Sequence, residues 1–460
     1  MEQKVIDSVL DRIRAALEVG KVDDAITALT TLHPADQADA FADLNQDDQE
    51  DILPRMNAQD AAELLEELED EEAAEAAGHM SPELLADALD EMQPDDAADL
   101  LGDLSPAQAA DALAHMEDAD EVIPLLAHPD DTAGGLMTSD FYALRRRMTA
   151  QNTIDFLRSL QPDAEQPYYL YVVDRDNRLI GIVGLRDLLV APPEATIESF
   201  MKTDVIRAAV DTDQEEVARI MQHYDLLALP VVNAEGRLAG IIHYDDIVDV
   251  IEDEATEDAQ KSGGMEALDE PYLLISFWRM IRKRAGWLVV LFLGEMLTAT
   301  AMGFYEMEIA RAVVLALFVP LIISSGGNSG SQAATLVIRA MALGEVRLRD
   351  WWRVMRRELL SGLTLGAILG SIGFLRITVW AAAFDTYGPH WALIGLTVGL
   401  SLIGIVLWGT LAGSMLPLLL RRLGLDPATS SAPFVATLVD VTGLVIYFSV
   451  ASVVLRGTLL

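Results

Sequence analysis

The last 190 residues contain five long apolar segments, and these constrain the chain more than any other feature. An α-helix needs about 20 apolar residues to cross a bilayer, and few other structures satisfy the backbone there. The segment cores lie at residues 286–304, 311–325 continuing through 332–341, 360–384, 391–420 and 433–455. Basic residues fall on one side of them. Arg279, Arg282, Lys283 and Arg284 precede the first segment, Arg347, Arg349, Arg353, Arg356 and Arg357 lie between the second and third, and Arg421 and Arg422 lie between the fourth and fifth. The alternate loops, around 305–309 and 385–390, are short and poor in bases. The positive-inside rule therefore predicts a multi-pass membrane protein with its N-terminal half in the cytoplasm and its C-terminus outside.

The rest of the chain is acidic. Residues 1–130 carry 36 Asp+Glu against 5 Lys+Arg, residues 131–270 carry 28 against 12, and residues 271–460 carry 9 against 15, which together give the net charge of −41. Such a front half repels nucleic acid and gathers cations, so no nucleic-acid partner is expected. There is no cysteine, which excludes disulfides and thiolate metal or redox sites. Residues 1–18 are charged and amphipathic with no apolar core, so no signal peptide is expected.

From about residue 34 to 116 a repeat appears. Leu44, Met56, Leu68, Met80, Met92, Leu104 and Met116 are spaced 12 apart, and Asp39, Asp51, Glu63, Glu75, Asp87, Asp99 and Asp111 keep the same period. Pro82, Pro94 and Pro106 precede three of the units. This pattern predicts stacked two-turn helices in a superhelix, with the apolar marks inside and the acids outside. Residues from about 137 to 250 hold a duplication of another kind. Val172-Val173-Asp174, Arg178-Leu179-Ile180-Gly181-Ile182-Val183 and Asp187 recur 59 residues later as Val231-Val232-Asn233, Arg237-Leu238-Ala239-Gly240-Ile241-Ile242 and Asp246. Each copy reads as strand, turn, strand, helix, with hairpin turns at Asp176-Asn177 and Glu235-Gly236. The duplication resembles a tandem cystathionine-β-synthase (CBS) module. Such pairs usually regulate what they are attached to and often bind adenine nucleotides, although binding varies among members. The resemblance implies an ATP site here at Asp187, Arg186 and Tyr169.

A charged side chain at bilayer depth costs about 2.5–3.5 kcal/mol on insertion scales, which makes Asp440, in the middle of the last segment, a functional candidate. Two copies facing across a twofold axis would suit a hydrated Mg²⁺, which keeps its octahedral water shell and accepts a few carboxylates around it. The alternative is a buried carboxylate paired with Arg339 or Arg376. Glu295 in the first segment is a second candidate, for packing or cavity lining. The stretch Pro320-Leu321-Ile322-Ile323-Ser324-Ser325-Gly326-Gly327-Asn328-Ser329-Gly330-Ser331-Gln332 interrupts the second segment with small and amide residues, and either pore lining or helix packing accounts for it. Acids also crowd the stretch 245–258, where Asp246, Asp249, Asp253 and Glu257 recur at helical spacing.

The second-segment string PLIISSGGNSGSQAATLVIRA and the last-segment string APFVATLVDVTGLVIY resemble the MgtE magnesium channel family, and the order of parts agrees along essentially the whole chain. The resemblance implies a multidomain protein: an all-α acidic superhelical N-domain (1–132), α/β tandem CBS domains (133–199 and 200–250), an acidic connecting plug helix (251–270) and a five-helix α-helical transmembrane domain (271–460). It implies a homodimer in which Asp440 holds Mg²⁺ in the pore, with Ala436 and Asn328 near the path. It further implies that Asp246, Asp249, Glu254, Glu257 and Asp258 share regulatory Mg²⁺ ions with Asp213, Glu215 and Asp225 and with the N-domain, where Asp90 is singled out. The function expected is Mg²⁺-selective uptake, closed by cytoplasmic Mg²⁺. Other readings are a channel or carrier for Mn²⁺, Co²⁺ or Ca²⁺, and a membrane-anchored Mg²⁺ or nucleotide sensor without transport. No GxxxxGK[ST] loop, HExxH or Ser/His/Asp grouping supports an enzyme.

Overall fold

The computed structural model describes residues 3–160, 169–268, 272, 275–384 and 387–459. The expected boundary at 270/271 and the start of the 385–390 loop lie outside the described residues. The chain divides into two compact units, Met1–Asp253 and Glu254–Leu460.

In the first unit each repeat forms one short helix: Pro34–Ala42, Gln46–Ile52, Ala58–Glu66, Asp70–Ala77, Pro82–Leu89, Pro94–Asp103 and Pro106–Leu113. The start signals are local. Proline opens four of these helices, where its missing N–H costs nothing, and the side chains of Asn45, Asn57, Ser81 and Ser105 accept from the N–H three residues on. Helices this short gain stability only from packing, and each packs on the next but one: Ala58–Glu66 on Pro82–Leu89, and Asp70–Ala77 on Pro94–Asp103. The predicted apolar marks Leu44, Met56, Leu68, Met92, Leu104 and Met116 are buried, and Met80 is half-buried.

The duplicated region forms two three-stranded sheets of the same topology. The first is β1 (Ala143–Arg145), β2 (Tyr169–Val173) and β3 (Leu179–Gly184), and the second is β4 (Ala208–Ala209), β5 (Ala228–Val232) and β6 (Leu238–His243). The hairpins are those predicted, with Asn177 at φ 60° and Gly236 at φ 78° in their turns. The two turns also bond each other: Leu179 N–H donates to Gly236 O at 3.1 Å and Leu238 N–H to Asn177 O at 3.0 Å. The parallel strands β1 and β4 are additions to the expected pattern. Strands of two or three residues are too short to show an alternation. After β6 a single helix runs from Tyr244 to Ser262. The boundary expected at 250/251 falls inside this helix, close to the division between the two compact units at Asp253/Glu254.

Among the described residues the second unit holds five helices long and apolar enough to cross a membrane, with spans Phe277–Phe304, Val313–Ala342, Leu348–Phe384, Gly388–Arg422 and Ala432–Val454. They match the five predicted segments. The second segment is not interrupted, however: after a 3₁₀ turn at Val313–Phe318 one helix, Val319–Ala342, runs through all of its glycines. Those glycines make room for neighbours. A Cβ on Gly326 would strike Ile405 and Val439, and one on Gly409 or Gly413 of the fourth helix would strike the carbonyls of Gly326 or Gly330. In lipid, helices associate through such close approach rather than through apolar burial. The third and fourth helices meet the same way, since a Cβ on Gly366 would lie 2.8 Å from Ile403 Cα and one on Gly370 would lie 2.7 Å from Gly399 O.

Candidate functional site

Two groups of acids stand out, one in each unit. In the first unit, the helix Pro94–Asp103 carries Asp95, Asp96 and Asp99 toward Glu66 and toward Asp246 at the start of the Tyr244–Ser262 helix. Asp95 is only 6 % exposed, and its Oδ1 has no hydrogen-bond partner. Glu66, Asp96, Asp99 and Asp246 are half-buried. A small open cleft is lined by Glu66, Asp70, Asp96 and Asp99 with Leu65, Leu68, Ala73, Met92 and Leu100. Its chemistry is that of a hard cation, because every polar side chain in it is a carboxylate.

The electrostatic cost is visible in the titration of these groups. Burial first, then Asp95, Glu66 and Asp246, push Asp96 up to about 9. Burial with Asp70 and Asp95 brings Asp99 to about 8, and burial with Asp95 and Asp245 brings Asp246 to about 8. Glu66 rises to about 7 through burial, although Gln93 N–H donates to it at 2.7 Å. Asp95 is raised as well, by burial, against a hydrogen bond with Thr138. An acid whose folded-state pKa is raised favours the folded state while protonated. The metal-free unit is therefore most stable at low pH and loses stability as pH climbs from about 4, the unfolded carboxyl range, to about 9. A divalent ion would replace those protons. Binding of Mg²⁺ at pH 7 is expected to release more than one proton per chain, and affinity should rise between pH 6 and 9. Calorimetry in two buffers of different ionisation enthalpy measures this, and proton-neutral binding would refute it.

The residues selected from sequence are distributed unevenly about this cluster. Asp90 lies outside the cluster as described: it caps the Pro82–Leu89 helix and accepts from Glu117 N–H at 2.8 Å and Asp118 N–H at 3.1 Å, so its carboxylate holds a loop. Asp213 is the N-cap of the helix Gln214–Tyr224, with Glu215 in its first turn, whereas Asp225 sits in the left-handed region at the far end. An 11-residue helix is about 16 Å long, so no single ion takes Asp213 and Asp225 together. Asp246 joins the cluster, and Asp249, one turn on, is exposed but still raised by burial and by Asp253. At the other end of this helix Lys261 binds Glu257 and, at 2.8 Å, Asp426. Asp258 is raised by burial and then by Asp426, and Glu254 is half-buried one turn earlier. Just beyond, a Cβ on Gly264 would lie 2.9 Å from the Trp287 ring and 3.1 Å from Pro433. The end of the acidic helix is thus docked where the fifth spanning helix begins. Among the nucleotide candidates, Tyr169 pairs with Gly184, the N-cap of the short helix carrying Arg186 and Asp187, and Asp187 lies 3.9 Å from Lys202 Nζ.

In the second unit Asp440 is half-buried on the fifth helix, one turn after Ala436. Gly327 of the second helix lies against both: a Cβ there would be 3.5 Å from Ala436 Cβ and 3.8 Å from Asp440 Oδ1. Glu295 of the first helix is within hydrogen-bonding reach of Asp440. The arginines of the alternative reading are elsewhere. Arg376 contacts Tyr387 Oη at 3.4 Å and lies 5.0 Å over the Trp380 ring, while Arg339 acts on Asp258. Asn328 is exposed beside Gly327, and its amide is 3.5 Å from Ser324 Oγ.

A family model for the divalent cation transporter MgtE matches residues 319–450, and one for the MgtE intracellular N domain matches residues 32–131. The CBS domain model matches residues 133–194 and 197–253. The magnesium transporter MgtE of Thermus thermophilus is 45% identical over 337 residues, 73% of this chain and 73% of its own length. The chain belongs to the MgtE family. The magnesium transporter MgtE of Enterococcus faecalis is 35% identical over 74% of this chain and 73% of its own. A crystal structure of the cytosolic domain of the Mg²⁺ channel MgtE in complex with ATP covers 52% of this chain and 99% of that one, at 38% identity and a TM-score of 0.50. The MgtE match takes in Gly327, Asn328, Ala436 and Asp440, all on two of the spanning helices. The N-domain match contains Asp95, Asp96 and Asp99, which the sequence reading did not select. One signal was present in the repeat: Asp39, Asp51, Glu75, Asp87 and Asp111 are exposed, whereas Asp99, in the same phase, is half-buried and follows two further acids on its helix.

Proposed function

We propose that this member of the MgtE family is a homodimeric Mg²⁺-selective channel for magnesium uptake across the plasma membrane, with the acidic unit in the cytoplasm and the C-terminus outside. The observation that carries the reading is Asp440, a carboxylate inside an apolar helix, set against a glycine and a second carboxyl group with no base beside it among the described residues. A hydrated Mg²⁺ fits such a site, because it gives up its waters reluctantly and is held by a few outer carboxylates. A twofold axis near Asp440 would double the charge facing the ion.

Closure by cytoplasmic Mg²⁺ is the second half of the proposal. Asp95, Asp96, Asp99 and Asp246 repel one another when unprotonated, and divalent ions between them favour the compact state. The Tyr244–Ser262 helix carries Asp246 in its first turn and, in its last, Lys261, which pairs with Asp426. Moving a switch from 1:99 to 99:1 takes about 5.5 kcal/mol of differential binding, which several weak sites supply. ATP at Tyr169, Arg186 and Asp187 would be a further input. The test is Mg²⁺ uptake into liposomes with equimolar Mn²⁺, Co²⁺ or Ca²⁺ as competitor. Uptake that persists against the competitors and declines as Mg²⁺ rises on the side of the acidic unit supports the proposal. No uptake at all would return the chain to an anchored sensor, and strong competition would make it a general divalent channel.

A further inference from the structure

The acid cluster of the first unit has a nitrogen neighbour for which magnesium has no use. β6 ends at His243 and the acidic helix begins at the next residue, so His243, Asp245 and Asp246 project from one strand-to-helix junction. One ligand atom from each lies within 4.8 Å of the other two. The junction is held by the His243 backbone N–H, which donates to Asp246 Oδ2 at 3.0 Å. His243 is 8 % exposed, and its Nε2, sealed from solvent, has no hydrogen-bond partner. Asp95, whose Oδ1 is also buried and unpartnered, feels the same imidazole from the neighbouring helix.

Buried polar atoms in native proteins are nearly always satisfied, so an unpartnered imidazole nitrogen among carboxylates points to a missing ligand. A neutral imidazole donates a lone pair to a metal. Mg²⁺ prefers oxygen and gains little from nitrogen, whereas first-row transition ions gain from it, Mn²⁺ least among them, and Mn²⁺ also accepts the carboxylates that dominate this site. We propose that His243, Asp245 and Asp246 form a site for a divalent first-row transition ion of the Mn²⁺ class, bound through the His243 imidazole and two carboxylates. The proposal rests on the reading of the adjoining cluster as a metal-responsive site and adds a second metal to it. Because Asp246 belongs to both groups, occupancy by the transition ion discharges part of the same repulsion that Mg²⁺ relieves. Cytoplasmic Mn²⁺ would then act at concentrations well below those of Mg²⁺.

The experiment uses the full-length chain in detergent with Mg²⁺ in large excess and less than one equivalent of Mn²⁺. Pulsed electron paramagnetic resonance reads the modulation of the Mn²⁺ echo by a directly bound ¹⁴N nucleus. The intact protein should give one imidazole nitrogen, and His243→Gln should lose it. Mn²⁺ affinity at this site should fall about tenfold or more in His243→Gln, and also in Asp245→Asn, whose exposed position makes misfolding a poor explanation. An intact protein without nitrogen modulation, a His243→Gln protein that keeps it, or unchanged affinity in both variants would each overturn the proposal. Mg²⁺ uptake by the same preparations separates the two readings. A nitrogen signal without uptake leaves this site standing and removes the channel, and uptake without the nitrogen signal does the reverse.

Discussion

Mg²⁺ uptake through a chain carrying Asp440→Ala is expected to fall at least about a hundredfold, the equivalent of roughly 2.8 kcal/mol in the barrier to ion passage. The estimate follows from what the ion loses. Asp440 is the carboxylate that both Gly327 and Glu295 approach, and a neighbouring polar residue such as Thr437 offers only a neutral oxygen in its place. The loss should not come from unfolding. An acid without a base at this depth is a burden to the fold, so the alanine protein should melt at the same temperature as the parent or higher. Asp440→Asn, which keeps the shape and removes the charge, should resemble alanine, whereas Glu295→Gln should retain about a tenth of the flux or more. Normal uptake by Asp440→Ala would end the pore assignment.

The second large effect concerns regulation. In a chain carrying Asp96→Asn, Asp99→Asn and Asp246→Asn together, uptake should become independent of Mg²⁺ on the side of the acidic unit, over a range in which the parent is titrated from open to closed. The three groups sit in one half-buried cluster, and burial with mutual charge raises all of them to about 8 or 9. Removing their charge removes both the repulsion that opposes the compact state and the ligands through which Mg²⁺ relieves it. The side chains keep their size, so the packing of the helix Pro94–Asp103 should persist and circular dichroism should not change. By contrast Asp90→Asn, which loses charge from a loop-holding carboxylate, should leave the Mg²⁺ response in place. A triple variant that still closes normally, measured as ²⁵Mg or dye-reported flux against Mg²⁺ concentration, would move the sensor elsewhere.

Sequence by itself settled whatever depends on neighbours along the chain. The spacing of Leu44 to Met116 located the inward-facing turn that follows each short helix, proline and the caps chose where helices begin, and the 59-residue recurrence located both hairpins with their turns at Asn177 and Gly236. Five apolar runs became five long helices because helix is the only open-ended structure that satisfies its own backbone in lipid. Only tertiary structure decided which residues meet. Asp99 shares its phase with five exposed acids and differs from them because its helix packs on Asp70–Ala77 and brings Asp95 and Asp96 beside Glu66 and Asp246. The Asp90 carboxylate takes the N–H groups of a loop 27 residues away, a partner that no periodicity indicates. The glycines of the second span looked like a break, and instead they admit the fourth helix. The physical reason is common to all three. Periodicity encodes the face a residue occupies, which is a local property of the backbone, whereas burial and convergence of charge depend on which faces pack together across the fold.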